Sequence, residues 1–222
     1  MYWLLFILIA LLSWGVSALL DHRFKQYAKV PLRLTGREVA EKMLRDHGIT
    51  DVQVVPTQGH LTDYYDPRSK TVNLSQSVYE SATVAAAAVA AHECGHAVQH
   101  ATAYAPLRLR TALVPVVDFS SRWVTWVLLA GILLVESFPQ LLEVGIGLYA
   151  LITLFAFITL PVEINASRRA TSWLQEAGIT DRDTTPMAAS ALRSAAYTYV
   201  VAALSSLGTL IYYILILVGR RD

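Results

Sequence analysis

The chain has 222 residues, of which 55% are hydrophobic and 16% charged, and its mean hydropathy is +0.43. Soluble domains average roughly 45–50% apolar and 25% charged residues, so the balance favours one compact membrane unit. A net charge of +1, without a Lys/Arg run interleaved with aromatics, gives no reason to expect a nucleic-acid partner, and the single cysteine, Cys94, excludes an intrachain disulfide.

Residues 1–20 carry no charge, and as a helix they rise about 30 Å, the thickness of a hydrocarbon core. There is no basic n-region and no clear A-x-A site before Asp21, so the segment reads as an uncleaved anchor rather than a signal peptide. Thr35-Gly36-Arg37-Glu38 has the form of a capping box, and Val39, Ala40, Met43, Leu44 and His47 follow at helical spacing up to Gly48. Residues 52–55 alternate like a short strand that ends at Pro56; residues 61–70 are rich in turn formers; Thr71 to Leu74 reads as a second strand. From Ser81 to His100 the Ala-rich sequence predicts a helix. Trp123 to Val135 is apolar but short, and reaches spanning length if it extends to about Leu142. Phe138-Pro139-Gln140 reads as a hairpin turn before the uncharged run 144–162, and a last uncharged run covers 200–218. The alternative for residues 123–162 is a buried helical hairpin of a soluble fold. Four spans place loops 21–122 and 163–199 on one side, with 12 and 4 of the 18 Lys+Arg, and the positive-inside rule puts that side in the cytoplasm.

The chemistry lies in Ala91-His92-Glu93-Cys94-Gly95-His96, an H-E-x-x-H sequence on a predicted helix. Spacing i, i+4 puts both imidazoles on one face. Two neutral imidazoles suit zinc and leave room for a third protein ligand and a water, from which Glu93 can take a proton. The third ligand has several candidates: His100, His60, Asp63, Asp66 and Glu163. His100 lies about 12 Å along the helix from His92, too far to share one metal. His60 and the two aspartates sit in a turn-rich stretch and stay open on geometry alone. Glu163 has better support, since it ends a span on the predicted side of His92, and Ala166, Ser167 and Ala170 share its face, so that helix can approach closely. A third histidine after Gly fails, because position 99 is Gln and position 102 is Thr, and there is no Asp-Gly of the kind site-2-type intramembrane proteases use. Cys94 points away from both histidines and reads as a buried thiol. Asp63 to Asp66 either line the cleft or build a turn, Tyr197 and Tyr199 are candidates to stabilise an oxyanion, and the strand near Val72 is a candidate to pair with an extended substrate.

HECGHAVQH, the upstream LTDYYDP and the downstream VEINASRRA resemble the YugP-like neutral zinc metallopeptidases of bacteria, over most of the chain. The resemblance implies zinc, peptidase activity, a bacterial inner (plasma) membrane location and Glu163 as a ligand. A more distant likeness is to the HtpX and CaaX-prenyl-protease membrane gluzincins, which carry an Asp four residues after the zinc glutamate where this chain has Ser167.

The resulting expectation is a mainly α membrane protein with about four transmembrane helices and a small α+β zincin-like cap. Its parts are an anchor (1–20), a cytoplasmic cap with the H-E-x-x-H helix (21–122), a transmembrane hairpin (123–162), cytoplasmic helices with the third ligand (163–199) and a last transmembrane helix (200–222). The expected function is a multi-pass, zinc-dependent endopeptidase acting on peptide or protein substrates at the bilayer, with His92, His96 and Glu163 on Zn2+, Glu93 as base, and the site facing the cytoplasm. The competing readings are a catalytically silent zinc-stabilised scaffold and an intramembrane-cleaving metalloprotease.

Overall fold

The computed structural model describes residues 2–59 and 62–219. Its first helix, α1 (Tyr2–Tyr27), runs past residue 20, and an Asp21–Lys25 pair at 2.6 Å bridges its last turns. Helix α2 (Gly36–Asp46) begins as its sequence predicts. The Glu38 amide donates to the Thr35 hydroxyl at 3.3 Å, and the Thr35 amide donates to the Glu38 carboxylate at 2.8 Å. Gly48, at φ +68°, lets the chain leave the helix through the left-handed region.

Three strands follow: β1 (Gln53–Thr57), β2 (Tyr64–Asp66) and β3 (Thr71–Ser75), in the order β1-β3-β2. β1 is parallel to β3, with Val54 opposite Val72, and β2 is antiparallel, with Tyr65 opposite Val72. Strand β1 continues through Pro56, which an edge strand tolerates because one side of its backbone needs no ladder partner. β3 is the central strand, so Val72 and Leu74 are fully buried. After a single turn of helix, α3 (Gln76–Tyr79), Thr83 caps α4 (Val84–Ala101). Every alanine of α4 from Ala85 to Ala97 is buried, so the helix runs through the middle of the polar part. A core of Val39, Met43, Leu74, Val98 and Leu174 closes around it.

Three long helices complete the chain: α5 (Ala105–Leu133), α6 (Pro139–Glu176) and α7 (Thr184–Val218). With α1 they make four helices long and apolar enough to cross a membrane. Their outer faces expose large apolar side chains, among them Trp3, Trp14, Trp126 and Leu133, which water does not favour and lipid does. The helix carrying Trp123 starts at Ala105 and stops at Leu133. Its charges hid that start in the sequence, and two of them, Asp118 and Arg122, pair at 2.7 Å one turn apart. The turn falls just before Pro139, which opens α6. Residues 163–176 continue the apolar helix α6, and residues 184–199 are the start of α7.

α5 and α6 form a tight hairpin. A Cβ on Gly131 would lie 2.7 Å from the Leu142 Cα, so only glycine permits this approach. Gly131→Val forces backbone apart and is expected to cost about 1–3 kcal/mol. Thermal unfolding in detergent should show a lowered midpoint, and a midpoint equal to the parent's would mean the hairpin is looser than described.

Candidate metal centre

His92 and His96 lie one turn apart on α4, their rings 4.8 Å apart between centroids. Facing them is Glu163 from α6, 4% exposed, with its Oε2 3.3 Å from His92 Nε2 and 3.6 Å from His96 Nε2. One ligand atom from each of the three lies within 4.8 Å of the others, and this is the metal-capable group found among the described residues. The approach depends on small residues. A Cβ on Gly95 would stand 2.8 Å from the Ala166 carbonyl oxygen, and Ala166 and Ala170 are themselves fully buried against α4.

The other ring nitrogens are held away from the centre. His96 Nδ1 lies 3.1 Å from Gln99 Oε1 and therefore carries the proton, while Gln99 Nε2 donates to the Val162 carbonyl at 2.8 Å and to Asn165 Oδ1 at 3.0 Å. Arg169 Nε also donates to Asn165 Oδ1, at 2.8 Å. His92 Nδ1 lies 3.2 Å from the Ser167 hydroxyl. Ser167, on the face of α6 that carries Glu163, thus reaches His92 through its hydroxyl. Both Nε2 atoms are left facing Glu163.

These residues fit a zinc ion. Glu163 Oε2 is buried with only the two imidazole Nε2 atoms facing it and no well-formed hydrogen bond, and a buried carboxylate oxygen held so loosely is costly unless a cation offsets it. Two imidazoles and a carboxylate also form a known donor set for catalytic zinc, with a position left open.

Glu93 leans the other way. Its Oε2 accepts the Tyr65 backbone amide at 3.1 Å, from the outer edge of β2. Burial pushes its carboxyl pKa up, with the two histidines opposing. Burial also opposes a charge on His96, but the Glu163 carboxylate outweighs it and the net direction is upward. Cys94 is fully buried, its thiol pushed up by burial, and its Sγ donates to the Ala40 carbonyl at 3.6 Å. It is the packing residue the sequence suggests.

The remaining candidates are not part of the triad, or lie outside the described residues. Asp63 lines the cavity at the triad, yet its carboxylate accepts the Ser75 amide at 2.7 Å and pins the end of β3. Asp66 holds its own turn through Arg68 and Ser69. His100 Nδ1 lies 3.1 Å from the Tyr65 hydroxyl. His60 lies outside the described residues. Tyr199 lines the cavity with His92, Glu93 and Glu163, whereas Tyr197, two positions along α7, is absent from its wall. The strand near Val72 is interior, so the edge facing the site belongs to β2. Sequence reasoning missed β2, because Tyr64-Tyr65 is a short aromatic pair inside a turn-rich stretch. Gln99, three residues after His96, was legible as a partner on the same face.

The profile of a family described as "Putative neutral zinc metallopeptidase" matches residues 2–218. The chain belongs to that family. It is also 38% identical over 225 residues to a Bacillus subtilis (strain 168) protein named "Putative membrane protease YugP", covering 99% of each chain. No solved structure matches.

Glu163→Ala is expected to remove most bound zinc, whereas His100→Ala and Asp63→Ala keep it, the latter at a stability cost of about 1–3 kcal/mol for the orphaned Ser75 groups. Metal analysis of purified variants reads this directly. Full occupancy in Glu163→Ala with loss in Asp63→Ala would reverse the assignment.

Proposed function

We propose that the protein is a membrane-bound zinc endopeptidase whose site faces the cytoplasm of a bacterial inner membrane. The observation that carries the reading is the separation of roles around one point: His92, His96 and Glu163 converge on it, while Glu93 is held beside it by the Tyr65 amide and is not one of the three. A merely structural zinc site has no use for that fourth group. The edge strand β2 lying beside the H-E-x-x-H helix, as a zincin-like cap would have it, supports the same reading. Bound zinc would supply Lewis acidity, polarising a scissile carbonyl and acidifying a water.

The residues of the chain would do the rest. Glu93, kept basic enough by burial, takes the proton of the attacking water and returns it to the leaving amine. Gln99 and Ser167 orient the two imidazoles so that neither ring can turn its free nitrogen away. Tyr199 offers a hydroxyl to the same cavity, where it is suited to donate to the developing oxyanion. An extended substrate would run along β2.

Glu93→Gln should keep its zinc yet cleave casein or a quenched peptide at least ~10²-fold more slowly. A variant as fast as the parent would sink the mechanism, and a parent indifferent to chelators would leave the zinc-stabilised scaffold as the better reading.

The orientation rests on the basic residues of loops 21–122 and 163–199. Cysteines introduced at exposed Thr50 and Arg182 should resist an impermeant thiol reagent in intact cells and react after lysis, and buried Cys94 should give little background. Labelling of either position in intact cells would invert the topology.

A further inference from the structure

The cavity at the triad, about 490 Å³, also takes a side chain that the proposed hydrolysis does not use, Arg110 of α5. Leu107, Arg110 and Thr111 line it together, as their i, i+3, i+4 spacing on one helix face requires, while exposed Arg108 is absent from the wall. The Arg110 guanidinium lies 5.9 Å from the Phe155 ring centroid of α6, and its Nε is buried without a hydrogen-bond partner. Among the described residues it makes no ion pair.

Carboxylates are not lacking nearby. Asp63, Glu93 and Glu163 line the same cavity, yet each is engaged elsewhere: Asp63 by Ser75, Glu93 by the Tyr65 amide, and Glu163 by the two histidines. A guanidinium is always charged, and holding its buried Nε without a partner is costly. Its fork matches a carboxylate through two parallel hydrogen bonds. We infer that Arg110 is the anchor for a carboxylate of the bound peptide, either the C-terminal carboxylate or an Asp/Glu side chain near the scissile bond. The enzyme then selects substrates by a negative charge placed inside the cleft. This inference rests on the peptidase reading, and deepens it by naming a substrate class.

Binding tests it without turnover. Zinc-loaded, full-length Glu93→Gln protein in detergent is titrated with three fluorescent peptides of one parent sequence: free C-terminus, amidated, and amidated with an internal Glu. Arg110→Met, which keeps an apolar stem against Phe155, is titrated in the same background. The expected result is at least about tenfold tighter binding of a carboxylate-bearing peptide than of the neutral one, the scale of a charged hydrogen bond. The peptide that gains identifies the source of the carboxylate. Arg110→Met should erase the preference and leave zinc content and neutral-peptide affinity unchanged. Equal affinities in the parent, no binding of any peptide, or an equal loss for charged and neutral peptides in Arg110→Met overturns the inference. Loss of binding to phosphatidylglycerol vesicles with peptide preference intact also overturns it, in favour of a lipid headgroup. Chelator-sensitive cleavage by the parent is scored separately, so its absence alongside a clear carboxylate preference counts against the peptidase reading alone.

Discussion

The centre exists because α4 and α6 touch. Gly95 on one helix and Ala166 on the other remove the side chains that would hold the backbones apart, and only at that separation does Glu163 reach the two histidines of α4. The arrangement is expensive without a cation, since it buries a carboxylate oxygen that only two imidazoles face, neither in a well-formed hydrogen bond. Metal binding and the packing of these two helices are therefore coupled, and zinc would contribute to folding as well as to chemistry.

The elements around that contact divide the work. α6 runs from the apolar hairpin into the polar part without a break, so a single helix carries exposed apolar residues at one end and Glu163, Asn165 and Ser167 nearer the other. The sheet contributes one edge: β2 is held to β3, and its outward amide at Tyr65 fixes Glu93. α5 brings a cation into the cleft from the remaining side, and α7 brings Tyr199. The cavity wall is thus drawn from both the polar part and the apolar helices, as the proposed enzyme at a bilayer surface would require.

What was legible in the sequence is what local spacing determines. The histidine pair needs only four residues of helix, and the capping box at Thr35 only four of its own. Glu163 was legible because a carboxylate at the end of an apolar run followed by small residues is unusual on a helix that must pack. The start of α5 was not, because Arg108, Arg110, Asp118 and Arg122 interrupt the apolar pattern, and the Asp118–Arg122 pair is made only once the helix has formed. The Tyr65 amide was equally hidden, since a backbone donor carries no sequence signature. The Ser167 contact to His92 is carried by a single hydroxyl, which has no signature in the sequence beyond its spacing from Glu163.

The central claim is that two imidazoles of α4 and one carboxylate of α6 form the metal's protein ligands. X-ray absorption at the zinc edge of the purified, zinc-loaded parent protein tests it most directly. The account predicts two imidazole nitrogens and light oxygen scatterers, all at about 2.0–2.2 Å, with no sulfur. A sulfur shell at about 2.3 Å, or a third imidazole in place of the carboxylate, would contradict it.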